Sequence, residues 1–233
     1  VSTTLDPART RRLPPRETAA HQIRKRLRAE IITGVLRPGD VLQERELAVA
    51  YGISRTPVRE AFLRLADEGL LEMRPQSGTF VTLLDAAGIR EALFVREAVE
   101  TAAVRCAVAR FSSVSRTTLA ANIRGQREAA KQKERSIMST LDEAFHRAIV
   151  EASGYGGAWQ VIREMRDRHA RLHHLSTPLP GVTQRAISQH AAILEAIEAG
   201  NATAAATRLR VHIRANANDL DTVAALYPHY FVT

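Results

Sequence analysis

Asp142 and His146 stand four residues apart in LDEAFHRAIVEASG, so a helix there presents a carboxylate and an imidazole on one face, beside Phe145 and Ile149. His190 falls with Ile193, Leu194 and Ile197 on the inward stripe of a second expected helix, and His212 lies beside Leu209 and Ile213 on a third. Three helices thus offer nitrogen and oxygen donors to one interior. Three neutral imidazoles and a carboxylate suit one divalent metal ion, with zinc, nickel and manganese as candidates, and leave room for water or a small ligand. Spacing keeps other readings open. His169 and His173, with His174 next door, form a rival i, i+4 pair. A lone histidine among aliphatics is more often a satisfied core residue, and Asp142, close after Ser139 and Thr140, also suits a helix N-terminus. The run Arg163, Arg166, Arg168 and Arg171 reads as a solvated face.

A second group of residues has the chemistry of nucleic-acid contact. In SRTPVREAFLRLADEGLLEM, Val58, Ala61, Phe62 and Leu65 make an inward stripe, while Arg55, Thr56 and Arg59 lie at the helix start and point away. Ser54 stands before them as the expected N-cap. A helix N-terminus bearing two arginines and a hydroxyl suits phosphate oxygens and guanine edges, because the macrodipole favours anions and guanidinium pairs in a bidentate way.

The elements that must position these residues follow from periodicity. Ile23, Leu27, Ile31 and Ile32 mark a helix from Glu17 to about Gly34, stopped by Arg37-Pro38-Gly39-Asp40. A short helix spans Glu44 to Tyr51, Gly52 turns the chain, and the helix after Ser54 runs to about Glu68. The stretch LLEMRPQSGTFVTLL then changes period, with two β-prone arms around Pro75-Gln76-Ser77-Gly78. Two helices across a glycine turn and a following hairpin make a winged helix-turn-helix, in which Arg45 and Gly78 fall where backbone and minor-groove contacts are expected.

Past Leu84 the periodicity is helical throughout: about 85–109, 113–132, 137–152, 157–175, 184–199 and 202–225, punctuated by Gly154, Gly156, Gly157, Pro178, Pro180, Gly181 and Gly200. The expected fold is therefore mainly α. A flexible basic arm (1–16, with Arg9, Arg11, Arg12 and Arg16) precedes a winged-helix DNA-binding domain (17–83) and an all-helical ligand-binding bundle (84–233).

Composition agrees with this division. The chain has 233 residues, 25% of them charged, and a net charge of +8 that suits a polyanion partner and excludes an acidic solvating tail. The excess is shared: residues 1–83 hold 14 basic and 10 acidic groups, so it is denser there without being confined there. No apolar run approaches the roughly 18 to 20 residues of a membrane span, so no membrane is expected. The start lacks the apolar core of a secretory signal, and the single cysteine, Cys106, has no internal disulfide partner. A cytoplasmic protein is expected.

The segment GVLRPGDVLQERELAVAYGISRTPVREAFLRLADEGLLEMRPQSGTFV resembles the winged-helix domain of the GntR family of bacterial transcription regulators, with the PGD turn, the ELA helix, the SRTPVREA entry and the G-x-F-V wing in order. The resemblance implies that Arg45, Arg55, Thr56 and Arg59 contact DNA and that Gly78 lets the wing approach the minor groove. The D-x-x-F-H stretch followed by QHAAILEAIEAGNATAAATRLRVHI is similar to the FCD effector domain of the FadR-like branch, in its shorter, six-helix form. That likeness implies a metal held by Asp142, His146, His190 and His212, and an effector-binding arginine at Arg96, with Glu97 and Glu100 either positioning it or pairing at the surface. Tyr155 stands where the family often has asparagine.

The expected function is a metabolite-responsive regulator that binds double-stranded operator DNA as a homodimer, with a small organic acid as effector at the metal site. The alternative is a metal-dependent enzyme using the Asp/His cluster for catalysis. No general base stands beside that cluster, and a complete winged helix has no role in such an enzyme.

Overall fold

The computed structural model describes residues 18–232, and the expected basic arm lies outside them. Two compact units divide the chain: one runs to Asp85 and takes in the segment from Tyr227, and the other is Ala86–Leu226.

The first unit is the winged helix. Helix α1 (Ala19–Ile32) is capped by Thr18, whose hydroxyl accepts from the His21 N–H, and it buries Ile23, Leu27 and Ile31. Strand β1 (Val41–Leu42) leads into α2 (Glu44–Tyr51), which ends at Gly52 in the left-handed conformation that glycine adopts without steric cost. Helix α3 (Arg55–Asp67) packs Val58, Ala61, Phe62 and Leu65 against α1 and the sheet. Strands β2 (Leu71–Arg74) and β3 (Gly78–Val81) form the hairpin, and β1 pairs with the other edge of β3. Phe62 is fully buried at the centre of this core. Phe62→Ala is expected to cost about 3 to 5 kcal/mol of this unit's stability, read as a lower denaturant midpoint.

Six helices make the second unit: α4 (Ala86–Ala109), α5 (Ser113–Gln132), α6 (Arg135–Ala152), α7 (Ala158–Ser176), α8 (Val182–Glu198) and α9 (Ala202–Leu226). Each turns an apolar stripe inward, and polar groups interrupt those stripes at one level. Arg96 and Glu100 come from α4, Gln126 from α5, Asp142 and His146 from α6, His169 from α7, His190 from α8 and His212 from α9, all buried.

The structure revises the sequence reading at three places in the fold. Residues after Leu226 do not extend the helical bundle. Pro228 follows the end of α9, and the chain pairs with the first unit instead: the Leu84 N–H donates to Tyr230 (2.8 Å) and the Val232 N–H to Leu84 (3.0 Å). At the wing, Gly78 pairs with Arg74 at the foot of the turn, while Gln76 occupies the tip with φ +62°. Ser54 takes the N-cap position of α3, yet its hydroxyl makes no capping bond. The third helical residue is Pro57, which has no N–H to give it.

Candidate functional site

The rotation of three helices brings the Nε2 atoms of His146, His190 and His212 together. His212 Nε2 lies 3.2 Å from His190 Nε2 and 3.2 Å from His146 Nε2, and Asp142 Oδ1 lies 3.6 Å from His190 Nε2. Ligand atoms from all four side chains fall within 4.8 Å of one another. Phe145 stacks on His190 at a centroid separation of 4.1 Å, closing one wall with an apolar ring.

The proton positions in this cluster can be deduced from its neighbours. Asn122 Nδ2 faces the Leu141 carbonyl (2.9 Å), which can only accept. Its Oδ1 therefore receives Gln126 Nε2 (2.7 Å), and Gln126 Oε1 is left to face His190 Nδ1 (2.8 Å). His190 must donate from Nδ1, so its Nε2 carries a lone pair. His146 Nδ1 likewise faces the Glu100 carboxylate at 2.5 Å, and His212 Nδ1 faces Gln189 Oε1 at 3.0 Å. With the Gln189 oxygen toward it, His212 also donates from Nδ1, and three lone pairs then converge without a proton between them. Such an arrangement is repulsive by itself and becomes favourable around a cation, and an outer acceptor on each ring is the usual companion of histidine ligation. The donor set fits a divalent ion.

Electrostatics favour the ligating forms. Burial pushes His190 down to about 3, against Asp142, which would raise it. Burial together with the neighbouring His190 and His146 holds His212 well below the usual histidine range. For Asp142, burial would raise the carboxyl, but Arg166, His173 and the cluster histidines outweigh it and hold it ionised. Below about pH 6.5 an unfolded chain therefore takes up a proton that the folded metal-free protein refuses at His190. Stability of the metal-free protein is expected to be full above that pH and to fall as pH drops toward 3, measurable as melting temperature against pH.

Arg96 reaches the same chamber from α4. It is 1% exposed, donates from Nε to Glu100 Oε1 (2.7 Å) and from Nη1 to His169 Nε2 (2.9 Å), and its buried Nη2 has no partner among the described residues. A cavity of about 30 Å³, room for one or two waters, is lined by Arg96, Asp142, His146, His173, His212 and Asn216 among others. Arg185 of α8 pairs with both oxygens of Asp219 of α9 along its lining.

These contacts bear on the sequence alternatives. In the rival pair, His169 is engaged elsewhere: its Nε2 faces Arg96 Nη1 and its Nδ1 faces the Met165 carbonyl. Arg166 is not solvated. It is half-buried and donates to Asp142 Oδ2 at 2.6 Å, while Arg163 and Arg168 are exposed as expected. Glu100 positions Arg96, whereas Glu97 pairs with Arg210 and Arg214. Tyr155 is exposed and lies outside the cavity lining. Gln126 and Gln189 are not singled out by the sequence, and Arg166 is read there as part of a solvated face. Gln126 and Gln189 fall on the inward faces of their helices, which is a signal but a weak one.

On the first unit, Arg45 at the start of α2, Ser54, Arg55, Thr56 and Arg59 at the start of α3, and Gly78 are all exposed. Arg45, Arg55, Arg59, Arg74, Gln76 and Gly78 line one groove between the helix ends and the wing. Among the described residues, Arg55 approaches Glu44, at 3.7 Å. Arg74, which sequence reading passed over, stacks on the Phe80 ring at 4.8 Å and adds a cation beside the wing turn. Because Ser54 spends no hydroxyl bond on the helix, that hydroxyl and the first amides of α3 are free to meet an anion.

Comparison with known proteins gives the same two-part division. The profile for bacterial regulatory proteins of the gntR family matches residues 19–81, and that of the FCD domain matches residues 91–215. An HTH-type transcriptional regulator from an unstable DNA locus of Streptomyces ambofaciens is 35% identical over 93% of this chain and 91% of its own length. The HTH-type transcriptional repressor RspR of Escherichia coli K12 is 30% identical over 87% of this chain and 89% of its own. Among solved structures, a GntR transcriptional regulator from Rhodococcus sp. RHA1 superposes with a TM-score of 0.72 at 25% identity, covering 87% of this chain and 97% of that one. McbR/YncC of E. coli shares the fold, with a TM-score of 0.70 at 22% identity over 88% and 98%. The chain belongs to the GntR family of transcriptional regulators, with a winged helix-turn-helix followed by an FCD domain.

Proposed function

We propose that this regulator binds operator DNA as a homodimer and that a small carboxylic acid, bound beside a divalent ion in the helical unit, sets its DNA affinity. The observation that carries the reading is the convergence of three imidazole lone pairs and one carboxylate next to a buried arginine with an unspent N–H. Asp142, His146, His190 and His212 hold the ion, which supplies a positive charge able to take an oxygen donor. Arg96 Nη2 supplies a fixed donor to the same anion, and bidentate or charge-assisted pairing there favours a carboxylate over a neutral ligand. The site is regulatory rather than catalytic: every buried carboxylate beside it is already held by an arginine or histidine, so none is left as a general base.

Arg55, Thr56 and Arg59 contact bases and phosphates, Arg45 and Ser54 contact phosphate, and the wing at Gly78 enters the minor groove. A β-carbon at Gly78 would meet nothing closer than 3.6 Å, so its φ of +114° rather than crowding makes glycine the fitting residue. One winged helix presents few base contacts, and a two-fold pair would read an inverted repeat.

A thermal-shift panel of mono-, hydroxy- and dicarboxylic acids, run on metal-loaded and chelator-stripped protein, tests the effector reading. At least one acid is expected to raise the melting temperature of the loaded protein only, and Arg96→Met is expected to remove that rise. A panel in which no acid discriminates loaded from stripped protein would overturn it.

A further inference from the structure

Both oxygens of Glu100 are committed, and to different halves of the site. Oε1 receives Arg96 Nε at 2.7 Å and Oε2 receives His146 Nδ1 at 2.5 Å. The residue is 1% exposed, and its two side-chain hydrogen bonds go to these two groups. Resting on the metal and anion reading above, we infer that Glu100 is the positioning residue of the centre: one carboxylate locks His146 in its ligating tautomer and aims the Arg96 guanidinium.

The chemistry is specific to a carboxylate. Both neighbours are donors and each meets a different oxygen, so the residue between them must accept on both terminal atoms, which an ionised carboxylate does and an amide, with one oxygen and one NH2, cannot. Burial would raise the Glu100 carboxyl, but Arg96 and His146 outweigh it and hold it well below the usual carboxylate range. In Glu100→Gln one contact must become donor against donor. The charged guanidinium wins the amide oxygen, because charge-assisted bonds are the stronger ones. The amide nitrogen then faces His146 Nδ1, which must turn acceptor, and the ring proton moves to Nε2, where it blocks ligation. Glu100 also fixes the direction of Arg96 Nη2, since its bond to Nε and the His169 bond to Nη1 together leave the guanidinium plane no freedom to rotate.

Four forms of the full chain separate this role from ordinary packing: wild type, Arg96→Met, Glu100→Gln, and the double variant Arg96→Met with Glu100→Gln. Zinc affinity is read by competition with a chromophoric chelator, and the His146 tautomer of metal-free protein by ¹⁵N NMR. Glu100→Gln is expected to weaken zinc binding about 10- to 100-fold and to move the His146 proton from Nδ1 to Nε2. In the double variant no guanidinium competes for the amide oxygen, so His146 is expected to recover its Nδ1 proton and zinc affinity to return to within a few-fold of Arg96→Met alone. Should Glu100→Gln fail to fold, the double variant against Arg96→Met still exposes the proposal to refutation. A Glu100→Gln protein with wild-type affinity and tautomer, or a double variant that binds zinc far more weakly than Arg96→Met, would overturn the role of Glu100 while leaving the metal centre standing. A wild-type chain that takes up no stoichiometric zinc would overturn both.

Discussion

His146→Ala and His190→Ala are expected to purify without a stoichiometric divalent ion, while wild type carries one per chain. Each substitution removes one of three convergent Nε2 donors, so the loss in metal affinity should exceed the roughly 10- to 100-fold that outer-shell changes cost. The stability consequence follows by mass action. An ion present at about 1,000 times its dissociation constant adds about 4 kcal/mol to the folded state, and the variants forgo that increment. Chelator should therefore lower the melting temperature of wild type and leave His190→Ala nearly unchanged. Metal analysis of the purified proteins with a melting curve for each checks this, and full occupancy in either variant would reject the ligand set.

The second large effect belongs to the DNA-binding end. Arg55→Ala and Arg59→Ala each remove an exposed guanidinium from the first turns of α3, where neither side chain supports the core. Stability should change by no more than about 0.5 kcal/mol, whereas each lost base contact should cost about 1 to 3 kcal/mol of discrimination between operator and unrelated duplex. Titrations against a duplex selected from random sequence and against a scrambled one, at several salt concentrations, measure that difference. Equal loss on both duplexes would make these residues phosphate contacts and shift base reading elsewhere in the groove that Arg45, Arg74 and Gln76 share with them.

Much of this was legible in the sequence because it rests on period and punctuation. The six apolar stripes after Leu84, with glycine and proline between them, locate α4 to α9 within a few residues, and Gly52 and Gly69 bracket α3. The histidine and aspartate positions were legible for the same reason: polar residues on an apolar stripe stand out. Spacing could not tell which stripes meet at which level. His169 and His173 satisfy the i, i+4 rule as well as Asp142 and His146 do, and only the partner of His169 in space, Arg96, separates them. Arg166 misled for the opposite reason: among three other arginines in a polar stretch it reads as solvated, whereas it pairs with Asp142 of a different helix. Short β1 and the return of residues 227–232 to Leu84 depend on pairing across long stretches of chain, which local pattern does not encode.

Operator affinity measured on one selected duplex, for metal-loaded wild type and for His190→Ala, with and without a carboxylic acid that stabilises the loaded wild type, tests the central claim most directly. Fluorescence anisotropy at fixed salt gives the four affinities. The acid is expected to change wild-type affinity by about 5- to 150-fold, the range of ordinary coupling between sites, and to leave His190→Ala unmoved although it still binds the duplex. The same shift in both proteins, or none in wild type, would contradict a regulator governed from its metal centre.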